Sequence, residues 1–166
     1  MTIGDDTSAH RRWLPHLQRD GKTYFVTFRT HESFVLPPKA RDIAFECTVY
    51  DHLRTFWLDA AVVMPDHIHL LITPYEQYCL PRIMNRIKNV SAHSINARLG
   101  RHGPLGRREY FDHILRSDES RRTKGEYIVM NPVRRGLVET PDEYPWIYRS
   151  WIEGEQNAAE VGGGTR

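Results

Sequence analysis

A chain of 166 residues, 40% of them apolar and with a formal net charge of +2, suffices for one compact domain that buries a sizeable core. The two cysteines, Cys47 and Cys79, are too few for a disulfide framework and too far apart for a close-spaced thiolate metal site, which points to a reducing, cytoplasmic setting. No run approaches the roughly eighteen apolar residues that cross a bilayer, and residues 1–12 lack the apolar stretch of an export signal, so no membrane association is expected.

In chain order, residues 1–20 read as an N-terminal arm. Residues 23–30 (TYFVTFRT) alternate aromatic and β-branched types, a strand pattern, and Pro37-Pro38 closes a loop before a helix predicted over 39–57. Residues 60–64 form a short β-branched run. The Pro65-Asp66 turn joins it to 67–73 (HIHLLIT) as an antiparallel hairpin. From 80 to 99, apolar residues at 80, 83, 84, 87 and 90 leave Arg82, Arg86, Asn89 and His93 on the other face of an amphipathic helix. A strand is predicted over 110–115. Ser117 or Asp118 then caps a helix that Pro132 stops near Asn131. The order β-α-β-β-α-β-α predicts an α+β fold of the ferredoxin-like, split βαβ type, with helices on one face of an antiparallel sheet. The domain is expected over 21–151, and 152–166, rich in Gly, Ala, Glu and Gln, as a disordered tail.

Two pairs of residues carry candidate chemistry. His67 and His69 lie two apart on a strand, so both imidazoles share one face and can grip a single divalent ion with open positions left over. With nine histidines in the chain, two ordinary half-buried rings are the alternative. Tyr127 and Asn131 lie four apart and stack on one helix face, where the amide oxygen offers a third, hard ligand and the phenol a nucleophile. A packed tyrosine and a capping asparagine are the alternative there. Gly125, two residues before the tyrosine, is either a hinge for it or a small residue at a tight contact.

Residues 62–72 (VVMPDHIHLLI) and 127–138 (YIVMNPVRRGLV) together closely resemble the single-tyrosine HUH transposases, and within them the REP-associated tyrosine transposases. The likeness extends through 24–29 (YFVTFR), the helix over 82–101, 110–116 (YFDHILR) and 144–146 (YPW), covering roughly residues 11–151. It implies that His67 and His69 form a metal motif completed by Asn131, that the ion is Mg²⁺ or Mn²⁺, and that the catalytic tyrosine of the C-terminal helix is Tyr127. It further implies attack by Tyr127 on DNA, leaving a 5′-phosphotyrosine and a free 3′-OH that permits strand transfer without ATP. The implied substrate is single-stranded DNA bearing hairpins, and the implied state is a monomer. Gly106-Arg-Arg108 departs from the family, where Trp-Gln or a similar pair often precedes the Tyr-Phe-Asp run.

Between residues 98 and 135 the chain holds ten Lys or Arg against five acids. Arg82, Arg86 and Lys88 on the long helix, Arg107 and Arg108 in the loop, and Arg121, Arg122 and Lys124 before the tyrosine are candidate phosphate contacts; a solvated surface is the alternative. Tyr24, Phe25 and Phe28 either stack bases or pack in the core. Two rival functions are a hairpin-binding regulator of the same fold without chemistry, and a small metal hydrolase that forms no covalent intermediate.

Overall fold

The computed structural model describes residues 21–116 and 120–151; the expected N-terminal arm, the tail and the Ser117 or Asp118 cap lie outside them. Strand β1 (Tyr24–Arg29) leads to helix α1 (Pro38–Val49), then to the β2 (Phe56–Val63) and β3 (His67–Pro74) hairpin and helix α2 (Leu80–Leu99). Strand β4 (Phe111–Ile114), helix α3 (Arg121–Val129), the short helix α4 (Asn131–Arg134) and strand β5 (Ile147–Arg149) follow. The sheet order is β4-β1-β3-β2-β5, with every neighbouring pair antiparallel. Its first four strands have the expected split βαβ arrangement, and β5 extends the sheet beyond β2.

Strand β3 lies in the middle because it is apolar on both sides. Ile68, Leu70 and Ile72 join Ile83, Met84 and Ile87 of α2 and Ala40 and Ala44 of α1 in one core, while Leu71 joins Ile128 and Val129 of α3 in a second. The expectation of helices on one face therefore holds for α1 and α2, and α3, the tyrosine helix, is corrected to the opposite face. Alternation also sorts the aromatic residues of β1: Tyr24 and Phe28 are buried in the α1–α2 core, and Phe25 packs on the α3 side.

Three local boundaries differ from expectation. Helix α1 ends at Val49 and the chain turns through residues 50–55, with Leu53 at φ 66° and its N–H donating to Phe56 O, so 56–58 belong to β2. Within α2, the buried stripe continues through Ser91 and Ile95, and Val90 is exposed. Helix α3 starts after Ser120, whose Oγ accepts from Thr123 N, and gives way at Met130 to α4, where Pro132 sits in the first turn without needing a donor. No helix among the described residues is long and apolar enough to cross a membrane.

Candidate metal centre and tyrosine helix

In the β1–β3 ladder Thr27 lies opposite His69 and Arg29 opposite His67, and in the β2–β3 ladder Val62 lies opposite His69. Directly opposed residues share a face, so the histidines look toward the side that carries α3. The two rings lie edge to face with centroids 4.6 Å apart, and His67 is only 3% exposed. Each ring is held through Nδ1: His67 by Asp66 Oδ1 at 2.7 Å, and His69 by Thr27 Oγ1 at 2.7 Å. A carboxylate only accepts, so the His67 proton sits on Nδ1 and its Nε2 keeps a lone pair; the Thr27 hydroxyl permits the same tautomer for His69. Neither Nε2 has a hydrogen-bond partner among the described residues. Oriented rings with a free second nitrogen are what metal ligation requires.

Charge acts in the same direction. Burial lowers the His67 pKa, opposed by the Asp66 carboxylate and assisted by Arg29 and Arg135. Burial, then His67 and the guanidiniums of Arg29, Arg134 and Arg135, push His69 down to about 3. Both imidazoles are thus neutral near pH 7, the form that binds metals. The positive charges of Arg134 and Arg135 in and after α4 thus act on His69. Asn131 opens α4, is only 8% exposed, and its side chain makes no hydrogen bond among the described residues. No group of three His, Cys, Asp or Glu that could hold an ion occurs among those residues.

Tyr127 is 53% exposed on α3. The Arg134 guanidinium lies over its ring, Cζ 4.1 Å from the centroid, and Arg134 Nη2 donates to Tyr127 O at 2.7 Å. Lys124 Nζ sits 5.9 Å from the Tyr127 ring and 5.1 Å from Phe25, and Phe25 stacks on His69 at 5.4 Å with an interplanar angle of 22°. A run of side-chain contacts therefore connects the phenol to the histidines. The helix itself is fixed to β2. Arg121 makes a two-pronged ion pair with the buried Asp59, Nε–Oδ2 3.1 Å and Nη2–Oδ2 2.8 Å. A Cβ at Gly125 would stand 2.8 Å from two ring carbons of Trp151 and 3.5 Å from Ala60 Cβ, which makes this glycine a tight contact.

The candidate cationic residues fall into several settings. Arg121 is occupied with Asp59, Arg86 with Asp51 at 2.6 Å, and Arg122 with Glu126 at 2.7 Å and the Trp151 ring. Lys88 Nζ donates to the carbonyls of Arg107 and Arg108, each at 2.8 Å, and so braces the loop that carries those exposed arginines. Arg82 is exposed on α2, and Lys124 belongs to the tyrosine side. Sequence reasoning missed Asp66, Thr27, Arg29, Arg134 and Arg135 as neighbours of the site. Asp66 was legible only as a turn residue, Thr27 is 42 positions from His69, and the arginine pair stood only as part of the basic segment.

A sheet carrying a same-face histidine pair at its centre, with a tyrosine helix packed over that face, defines the class. The chain belongs to the IS200-like transposases: residues 27–128, more than half of its length, match the family described as "Transposase IS200 like", a span that includes His67, His69 and Tyr127 and stops short of Asn131. Within that family it is similar to a Haemophilus influenzae protein assigned as a REP-associated tyrosine transposase, at 27% identity over 97 residues. That match covers 52% of this chain and 55% of the relative, so it spans about half the relative's length. The fold is shared with a REP-associated tyrosine transposase solved bound to a REP hairpin, with TM-score 0.66 and 22% identity over 84% of this chain and 81% of that one.

Proposed function

We propose that the protein cleaves and rejoins single-stranded DNA next to a hairpin, with Tyr127 as nucleophile and a divalent ion, Mg²⁺ or Mn²⁺, held by Nε2 of His67, Nε2 of His69 and the side-chain oxygen of Asn131. The observation that carries this reading is the pair of Nδ1-anchored imidazoles with free Nε2 atoms on the face covered by the tyrosine helix. His67, His69 and Asn131 would hold the ion, and its Lewis acidity would assist attack on the scissile phosphate by the phenol, a weak nucleophile at neutral pH. Asp66 and Thr27 hold the rings in the ligating tautomer. Tyr127 Oη forms the new bond to phosphorus as the bond to the 3′ oxygen breaks; the phenol proton leaves, the 3′ oxygen becomes a hydroxyl, and the 5′ phosphate stays on the tyrosine. Attack by a 3′-OH on this phosphotyrosine reverses the step and joins strands with no external energy source. The hairpin in the substrate is supported by the REP hairpin bound to the structural relative. The protein acts as a monomer, which size-exclusion chromatography checks.

A hairpin-bearing oligonucleotide incubated with Mg²⁺ or Mn²⁺ is expected to give a denaturant-resistant protein–DNA adduct that EDTA prevents. Tyr127→Phe abolishes adduct and cleavage but retains hairpin binding, and His67→Ala or His69→Ala abolishes metal-dependent cleavage. Cleavage that survives in Tyr127→Phe would overturn the proposal, and hairpin binding with no cleavage in the unaltered protein would make it a regulator.

A further inference from the structure

The arginines around the histidine face are not equally committed. Arg121 and Arg122 are spent on carboxylates, and Arg134 on the ring and the carbonyl of Tyr127. Arg29 differs. It ends β1 directly opposite His67, so it shares the histidine face, and its side chain is 51% exposed. Its ion pair, Nη1 to Asp66 Oδ2, is stretched to 3.9 Å, and the guanidinium makes no hydrogen bond among the described residues. A fork of N–H donors with fixed positive charge thus stands beside His67 without an acceptor among those residues.

The strand ladder places this fork relative to Tyr127. Phe25, Thr27 and Arg29 follow one another along one face of β1, beside Leu71, His69 and His67 of β3. Phe25 stacks on His69, and Lys124 Nζ lies 5.1 Å from the Phe25 ring and 5.9 Å from that of Tyr127. The tyrosine is therefore joined to the Phe25 end of the row, and Arg29 holds the other end, roughly 13 Å along the strand. Displacement at phosphorus keeps the attacking and leaving oxygens roughly in line, on opposite sides of the phosphorus. With the phosphate over the histidines, attack from the Phe25 end sends the leaving oxygen toward Arg29.

We propose that Arg29 is a catalytic residue of strand cleavage, its guanidinium donating to the 3′ oxygen as that oxygen departs. The inference rests on the tyrosine-cleavage reading and adds the group that serves the leaving end. Tyr127 Oη bonds to phosphorus, the bond from phosphorus to the 3′ oxygen breaks, and its electron pair stays on that oxygen. The phenol proton passes to water, and water supplies the proton that makes the 3′ hydroxyl. Arg29 stays protonated throughout and stabilises the charge that develops between these events. Because that charge is absent from the intact strand, the contact strengthens in the transition state and speeds the step. In the joining direction the same donors receive the incoming 3′ end.

The test compares two hairpin oligonucleotides in Mn²⁺. One is ordinary; the other carries sulfur in place of the 3′ bridging oxygen at the bond where the unaltered protein forms its adduct. A thiolate leaves without such help, so the need for Arg29 disappears with sulfur. Arg29→Ala is expected to slow adduct formation about a hundredfold on the ordinary strand, and to match the unaltered protein on the sulfur strand. Arg29→Lys recovers part of the loss. The rise in melting temperature on adding Mn²⁺ is expected to be the same in Arg29→Ala as in the unaltered protein. Equal slowing on both strands, slowing on neither, or loss of the Mn²⁺ rise overturns the proposal, the last because Arg29 then acts through Asp66 on the ion. Each of these leaves the cleavage reading standing, since the unaltered protein still forms its adduct. Cleavage by Tyr127→Phe removes both.

Discussion

Arg134 touches Tyr127 twice, through the ring and through the backbone carbonyl. A guanidinium over an aromatic face is worth roughly 0.5–2 kcal/mol, so it restricts where the phenol points. Arg134→Ala is expected to slow adduct formation about tenfold with a smaller effect on hairpin affinity. Arg134→Lys keeps the charge but loses the planar stack, so it recovers affinity before rate. Adduct time courses beside equilibrium binding separate the two; parallel losses in rate and affinity would make Arg134 a phosphate contact alone.

His69 gives the metal-free protein a pH dependence whose sign is fixed by its depressed pKa. Folded, the imidazole resists protonation down to about 3; unfolded, it takes a proton near 6.5. The unfolded state therefore binds more protons between these values, and stability falls as pH drops below about 6.5. His67, also lowered, acts in the same direction. Melting temperatures in EDTA are expected to decline from about pH 7 to about pH 5, and His69→Asn should flatten that decline. The residues that set this behaviour were only half legible: the His-x-His spacing is a one-dimensional pattern, but Thr27 reaches His69 through a strand register, and Arg134 and Arg135 through the packing of α4.

At the level of elements, α3 is placed by a charge and by an absence of side chain. Gly125→Ala gains roughly 1 kcal/mol of helix propensity, yet its new methyl meets the Trp151 ring at 2.8 Å. Overpacking of this kind costs about 1–3 kcal/mol, so the variant is expected to melt lower than the parent. In a Trp151→Ala background the same change should become neutral or stabilising, and a double-mutant cycle on thermal melts measures the coupling. Removing Arg121 leaves the buried Asp59 carboxylate with the Trp57 indole N–H as its remaining side-chain donor among the described residues, and a cost of about 1–3 kcal/mol is expected for Arg121→Ala.

The same elements show what sequence patterns can and cannot mark. The bounds of α2 were legible because periodicity stops where Gly100 adopts φ 61°, a conformation glycine accepts without strain. The end of α1 was not, because the turn over 50–55 contains neither Gly nor Pro and Leu53 supplies the left-handed residue. Phe56 also fits either a helical or a strand period. Strand β5 has three residues and takes its identity from pairing with β2, a long-range fact with no local period to announce it.

For the whole molecule, the order of elements made the split βαβ sheet legible, whereas the side on which α3 packs depended on which face of β3 each apolar residue occupies. Leu71 settles it by joining Ile128 and Val129. Metal binding to the folded state alone should stabilise the entire domain, by about 2.7 kcal/mol at a free ion concentration one hundred times Kd. Thermal melts with and without Mn²⁺ are expected to show this increase in the parent and not in His67→Ala.

The anchoring of α3 sets a limit on movement once DNA is attached. Arg121 holds the helix to β2 one and a half turns before Tyr127, and the Trp151 ring closes on Gly125 between them. Under the proposed cleavage, a strand end joined to the phenol would be on a short leash, confined to the histidine face by the domain's own packing. Exchange of partners would then depend on the arriving 3′ end being mobile while the attached end stays docked, and the molecule would act as a fixed station through which strands are threaded.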